Sequence, residues 1–275
     1  MDESIISELQ SLCQFTFKME NDRCVEISFF DPSTIFEGTI RHHPEKQKIL
    51  KLASQLSNLR KLDLRKCKVG TLPSFSSDLE YLDLSCNDLV VVPNWVYGLN
   101  QLKYLSLGSN HITELKSVPP VETLKVHKNR IKEMPPLPDT IRFLNLYLNE
   151  MPELPPLPKL EFLSFGVTQM RTLPSLPNSL RWLSLVANQI EKLPADFCDL
   201  KKLEGVRLAK NALSILPGDI GTMNIKQITL YKNNLKCLPE SFFNLQLIKL
   251  NVSNNPLTDK DRIQKTFGHI EFYEC

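Results

Sequence analysis

Leu180-Arg181-Trp182-Leu183-Ser184-Leu185-Val186-Ala187-Asn188 decides the fold, because the same nine-residue phrase, leucine-x-x-leucine-x-leucine-x-x-asparagine, returns along most of the chain. Aligned on the first apolar position, copies begin at Leu59, Leu79, Leu102, Val121, Ile141, Leu160, Leu180, Leu203, Ile225 and Leu247, spaced 19 to 23 residues apart. A period of that size marks a solenoid, in which each unit stacks on the next, and not an ordinary globular domain. The apolar residues at positions four and six, such as Leu183 and Leu185, stand two apart, which is the same-face spacing of a strand. Each copy therefore opens with one short strand, and copies running in one direction stack into a parallel sheet. One coil cannot bury its apolar face alone, so several are needed and both ends require covers.

Position nine is asparagine in eight copies: Asn87, Asn110, Asn129, Asn149, Asn188, Asn211, Asn233 and Asn255. Pointing into the turn that leaves the strand, its amide can satisfy backbone groups that the bend would otherwise bury unpaired. Cys67 and Thr168 take its place in the other two copies, where a looser turn is expected. After the strand comes a Leu-Pro pair, as at Leu72-Pro73, Leu193-Pro194 and Leu238-Pro239. Proline lacks the amide donor and fixes its torsion, which suits a return path outside any sheet. The short copies continue as Pro-Pro-Leu-Pro (Pro135 to Pro138, Pro155 to Pro158) or Pro-Ser-Leu-Pro (Pro174 to Pro177), the composition of polyproline-like backbone. Longer copies, such as Pro194 to Leu200 and Pro239 to Leu245, leave room for a helical turn.

These phrases, over residues 59 to 257, closely resemble the leucine-rich repeat family. The resemblance implies an α/β solenoid, curved, with a concave parallel sheet, a convex side of polyproline-like or short helical segments, and N- and C-terminal caps. The short Leu-Pro dialect resembles the repeats of bacterial secreted effectors of the YopM and IpaH group. The 22- and 23-residue copies are more similar to those of intracellular Ras-binding scaffolds and plant-type proteins.

Three regions are expected: an N-terminal cap over 1–58, about ten repeats over 59–257 and a C-terminal cap over 258–275. In the first, Ile5, Ile6, Leu9 and Leu12 have helical spacing, and Val25 and Ile27 read as a divergent opening repeat beside Leu62 and Leu64. A second helix, from about Glu45 to Ser57, would turn Ile49, Leu52, Ala53 and Leu56 inward. In the last, Thr258 to Asp261 has the spacing of a capping box, opening a helix that buries Ile263 and Phe267 before a final strand near Ile270 to Tyr273.

Seven scattered cysteines fit reduced thiols, with Cys67 and Cys237 at positions expected to be at least partly buried. An acidic start without an apolar run points to the cytoplasm, while export by a dedicated bacterial secretion system stays open. No membrane span is expected.

Positions three, five and seven should project from the concave face, with position eight at its edge. Position three carries Tyr81, Tyr104, Phe143, Phe162 and Trp182 at its centre, and Tyr147 and Tyr231 add rings at position seven. Two readings compete: rings that stack on one another and stabilise the sheet, or anchors for a bound protein. The basic residues of this face are Lys61, Arg65, Lys66, Lys125, Lys128, Arg207, Lys210, Lys232 and Lys249, against only Asp63 and Asp83, so a partner with acidic segments would be steered here. His127, between Lys125 and Lys128, reads as a contact residue. Nucleic acid is the competing partner class, and a formal total charge of only +2 argues against it. Position two, Arg60, Glu80, Lys103, Glu122, Arg142, Glu161, Arg181, Glu204 and Lys226, alternates in sign at every step, a structural ladder of cross-strand pairs.

Catalysis finds no support in the motifs. The five histidines do not pair with cysteines at metal-ligand spacing, and no phosphate-binding loop or nucleophile elbow occurs, so neither cofactor nor metal is expected. The reading is a non-enzymatic protein-binding scaffold or modulator. A secreted bacterial effector that binds a host protein, or the recognition subunit of a separate enzyme, are the alternatives. The partner's identity and the oligomeric state are not encoded in any of these features.

Overall fold

The computed structural model describes residues 2–30 and 40–269, and the backbone of 271 and 272. The chain divides into two compact units, Met1–Ile141 and Arg142–Cys275. In the first, α1 (Asp2–Leu12) precedes an antiparallel hairpin of β1 (Thr16–Glu20) and β2 (Arg23–Ser28), and α2 (Lys46–Ala53) follows. Four parallel strands then stack in chain order on β2: β3 (Lys61–Asp63), β4 (Tyr81–Asp83), β5 (Tyr104–Ser106) and β6 (Thr123–Lys125). The second unit stacks β7 (Phe143–Asn145), β8 (Phe162–Ser164), β9 (Trp182–Ser184), β10 (Gly205–Arg207), β11 (Gln227–Thr229) and β12 (Lys249–Asn251). After α3 (Lys260–Phe267), β13 (Glu271–Phe272) pairs with β12.

Register is locked position to position, as in Phe162 beside Trp182 and Leu163 beside Leu183. Slipping by one residue would turn every inward leucine to solvent, and Leu183 and Leu185 are fully buried. Just past each strand the chain turns sharply at position eight. All ten residues there, Lys66, Cys86, Ser109, Lys128, Leu148, Val167, Ala187, Lys210, Lys232 and Asn254, are left-handed, with φ between 53° and 63°. None is glycine, although this conformation costs an L-residue about 1 to 2 kcal/mol. Part of the compensation is hydrogen bonding: the amide of Lys210 donates to Tyr231 O at 2.7 Å, and that of Val167 to Val186 O at 3.1 Å.

The left-handed residue also swings the asparagine inward. Asn233 donates to Leu208 O in the coil before (3.0 Å) and to Leu230 O in its own (2.8 Å), and accepts from the Leu213 amide (3.0 Å). Asn110 and Asn129 repeat this set of bonds in the first unit. Cys67 reproduces it weakly, its thiol donating to Phe29 O at 3.6 Å and Arg65 O at 3.3 Å. At Thr168 the rung is broken: the threonine turns its hydroxyl toward Asn188, at 2.6 Å, and the amides of Met151 and Gln169 have no hydrogen-bond partner among the described residues. A cleft of about 490 Å³, lined by Leu154, Met170 and Leu173 among others, opens between these two coils.

The return segments follow coil length. The four coils of 22 or 23 residues that start at Leu79, Leu180, Leu203 and Ile225 carry 3-10 turns, at Asn94–Gly98, Ala195–Asp199, Ile220–Thr222 and Glu240–Asn244. The coils of 19 or 20 residues return without helix among the described residues.

Several local expectations change. The opening coil is shifted by two residues: Ile27 pairs beside Leu62, and Phe29, not Ile27, lies level with Leu64, since its amide bonds Asp63 O. The period-two pattern gives both registers the same buried face, so sequence could not separate them. In α2 it is Leu50, not Leu52, that joins Ile49 and Ala53 in the core. No capping box forms, because the Thr258 hydroxyl donates to Lys236 O in the coil before, and Asp259 stands at the N-cap. Ile263 and Phe267 are buried. Cys237 is exposed, whereas Cys67 and Cys198 are buried. Residues Ile270 and Tyr273 fall outside the described residues.

Candidate protein-binding face

Each three-residue strand sends its middle residue into the core and its first and third outward. In the first unit the position-three column is a closed stack. Tyr81 and Tyr104 lie face to face, centroids 4.3 Å apart and planes 6° apart. Lys61 caps the stack over Tyr81 at 5.5 Å and Lys125 over Tyr104 at 5.1 Å, within cation–π range. Burial, with Asp83 as the next cause, pushes the Tyr81 phenol above its ordinary value, so its hydroxyl stays protonated.

In the second unit Phe143 and Phe162 stack at 3.9 Å and 5°, Trp182 follows in register, and the Arg207 guanidinium sits 5.4 Å from the Trp182 ring. All five rings are half-buried, and in each of the two stacked pairs one face of each ring is covered by the other. Stacking and anchoring are therefore compatible, because the stacked rings keep part of their surface exposed.

A second device fixes the rings. Tyr147 and His127 at position seven, and Trp182 at position three, each lie against a glycine in the same column of the adjacent coil: Gly166, Gly108 and Gly205. A methyl group on Gly205 would overlap the indole of Trp182, and one on Gly108 would overlap the imidazole of His127. This pairing went unread in the sequence, although comparing columns between coils would have displayed it. His127 is half-buried, its Nδ1 is enclosed without a hydrogen-bond partner, and burial, then Lys128 and Lys125, lowers its pKa. Tyr231 is half-buried beneath Lys232, whose ammonium lies 5.2 Å from the ring.

The charge picture is sharper than a count of signs. Asp63 and Asp83 are buried on neighbouring strands. Arg65 binds Asp63 at 2.6 Å and approaches Asp83 at 3.6 Å, while stacking on Phe30 at 4.1 Å. Arg65 is thus a structural counter-ion, and Lys61 is engaged by Glu26 at 3.2 Å. Exposed cations on the face include Lys128 in the first unit and Arg207, Lys210 and Lys232 in the second. In the position-two column, Lys103 meets Glu80 at 2.6 Å and Arg181 meets Glu204 at 2.6 Å, both pairs open to solvent. Exposed pairs of this kind contribute about 0.2 to 1 kcal/mol each.

Among the described residues no His, Cys, Asp and Glu side chains converge to hold a metal ion, and no helix is long and apolar enough to cross a membrane.

The family model for the leucine rich repeat matches residues 57–112. YopM from Yersinia enterocolitica superimposes with a TM-score of 0.61 at 28% identity, over 73% of this chain and 43% of that one. The fold is the leucine-rich repeat solenoid. A leucine-rich repeat protein of Leptospira interrogans shares it at 24% identity and a TM-score of 0.51, over 81% of this chain and 80% of that one. So does the Arabidopsis receptor kinase HAESA ectodomain, solved with an IDA peptide hormone ligand, at 20% identity and a TM-score of 0.65, over 93% of this chain and 49% of that one. The chain thus spans about half the length of the YopM and HAESA chains or less. No curated protein matches it.

Proposed function

We propose that this leucine-rich repeat protein is a non-catalytic scaffold or modulator that holds a protein partner against the outward face of its sheet. The observation that carries the reading is the ring row of the second unit, Phe143 stacked on Phe162 and Trp182 seated on Gly205, with all three half-exposed. Preorganised, half-exposed aromatic rings are the kind of surface that dominates interface energetics, because little side-chain entropy is lost on binding. The exposed cations Arg207, Lys210 and Lys232 of the second unit favour a partner with acidic segments, and cysteines that are unbridged among the described residues suit the interior of a cell. HAESA, solved with a peptide ligand, illustrates the same fold serving as a receptor surface.

The test is affinity capture with the intact chain and with a Phe143→Ala, Phe162→Ala, Trp182→Ala variant. A ligand retained by the first and lost by the second, with melting temperatures matched, supports the role; ring-independent capture defeats it.

A second reading concerns setting and not chemistry. The likeness to YopM, described for Yersinia pestis as a leucine-rich effector protein, at 26% identity over 73% of this chain, favours an effector that occupies a host protein. Fusing a translocation reporter to the chain in a bacterium with a dedicated secretion system would separate the two, since a resident scaffold stays inside.

A further inference from the structure

The outward face of the second unit is chemically two-ended. In the coils that start at Ile141, Leu160 and Leu180, positions three, seven and eight hold Phe143, Phe162 and Trp182, then Tyr147, Gly166 and Val186, then Leu148, Val167 and Ala187. Positions three, five, seven and eight of these coils contain no charged residue of either sign. In the next two coils the same positions hold Arg207, Lys210 and Lys232, all exposed, with no carboxylate. Val167 marks the apolar end as costly to keep. It is a β-branched residue at φ 63°, 40% exposed, where asparagine or glycine would be unstrained. The left-handed turn itself recurs in all ten coils; what is particular to this one is a β-branched, exposed apolar side chain held in it.

We propose that this face takes an extended peptide laid across the strands, with apolar side chains over Phe143, Phe162 and Val167 and carboxylates at Arg207, Lys210 and Lys232. The inference rests on the binding role proposed above and narrows its ligand. Strands of three residues are too short to carry such a segment lengthwise, whereas six stacked strands at about 4.8 Å spacing offer roughly 24 Å across. From the middle of the apolar end to the middle of the cationic end is about two and a half strand spacings, or roughly 12 Å, which an extended peptide covers in three to four residues. A single-stranded nucleic acid fits less well, because its phosphates recur at every nucleotide and the apolar end offers them no cation.

The probe is a fluorescein-labelled peptide carrying Phe-Leu, a Gly-Ser-Gly spacer and Asp-Asp-Glu, titrated by anisotropy into the intact chain at physiological salt. Comparison peptides carry either half alone, or both halves joined by a spacer tripled in length. The linked peptide is expected to bind about tenfold or more tighter than either half, with the long spacer losing most of that gain. Arg207→Ala with Lys232→Ala should reduce it to the affinity of the apolar half, and Phe143→Ala with Phe162→Ala to that of the acidic half. Equal affinity for the acidic half alone, or indifference to spacer length, overturns the proposal, as does an oligothymidine that binds more tightly than the linked peptide. If ring-dependent partner capture survives those outcomes, only the two-ended ligand is lost and the binding role stands. Loss of capture dependence as well would remove both.

Discussion

The indole of Trp182 occupies the space that a side chain on Gly205 would need, and the two residues are paired directly across β9 and β10. The ring is therefore seated on backbone, with Arg207 beside it. Gly205→Ala should push the ring off its seat and cost about 1 to 3 kcal/mol, as overpacking typically does. Urea unfolding followed by tryptophan emission checks this, and unchanged midpoint and emission would mean the seat is not tight.

The asparagine rungs predict an order of effects. Asn233→Ala leaves the enclosed Leu213 amide without its partner and takes one of two donors from Leu208 O and Leu230 O, which keep Asn211 and Asn255, and should cost about 1 to 3 kcal/mol. Thr168→Asn works in the opposite direction, because it can supply the missing rung to the Met151 amide, and it should raise stability by about 1 kcal/mol. Chemical denaturation of both variants decides; a Thr168→Asn variant less stable than the parent would show that the unpartnered Met151 amide costs the fold nothing that a rung can restore.

Val167→Asn separates stability from binding. Asparagine tolerates the left-handed conformation that valine resists, so the variant should gain about 1 kcal/mol while weakening affinity for the Phe-Leu half of the linked peptide. A variant that is stabilised and binds unchanged would reduce Val167 to an accident of packing.

His127 gives a pH signature. Burial and the flanking lysines depress its folded pKa, so the unfolded chain takes up the proton first as the pH falls. Its contribution to stability is whole above the ordinary histidine value near 6.5 and is lost as the pH drops through the lower folded value. Melting temperature should decline between about pH 7 and pH 5 and decline less in His127→Gln. Parallel pH profiles for the two proteins would rule His127 out as the source.

What the chain disclosed in advance follows from periodicity. Leu183, Leu185 and Asn188 recur at fixed offsets, so strand, core and turn were readable from them, and the longer copies showed room for a helical turn, which the structure forms as 3-10 turns. Where no repeat supplied an internal comparison, reading weakened. β1 was missed because Thr16 to Glu20 is largely polar and exposed, although Asn21-Asp22, both at positive φ, is a hairpin-turn signal. The register of β2 was ambiguous because Val25, Ile27 and Phe29 present the same face. On the binding face, residue identities were legible but their relations were not. Asp63 and Asp83 counted as surface charges until burial showed them holding Arg65, and Gly108 and Gly205 looked unremarkable until rings were found lying on them.

Each asparagine reaches both its own coil and the one before it, as Asn255 does from Leu230 O to Val252 O. The nine residues from strand to asparagine are thereby fixed in length, whatever the length of the return. Duplicating a whole unit, such as residues 203–224, would deliver a fresh strand, turn and asparagine already in step with both neighbours. One residue added inside Gly205–Arg207 would turn the rest of that strand's side chains to the wrong face and put Asn211 out of step with Leu185 O. Return segments already absorb single residues, since coils run from 19 to 23, but the strand and its asparagine can be added or removed cheaply only as a whole coil, and each coil so added widens the outward surface by one strand spacing.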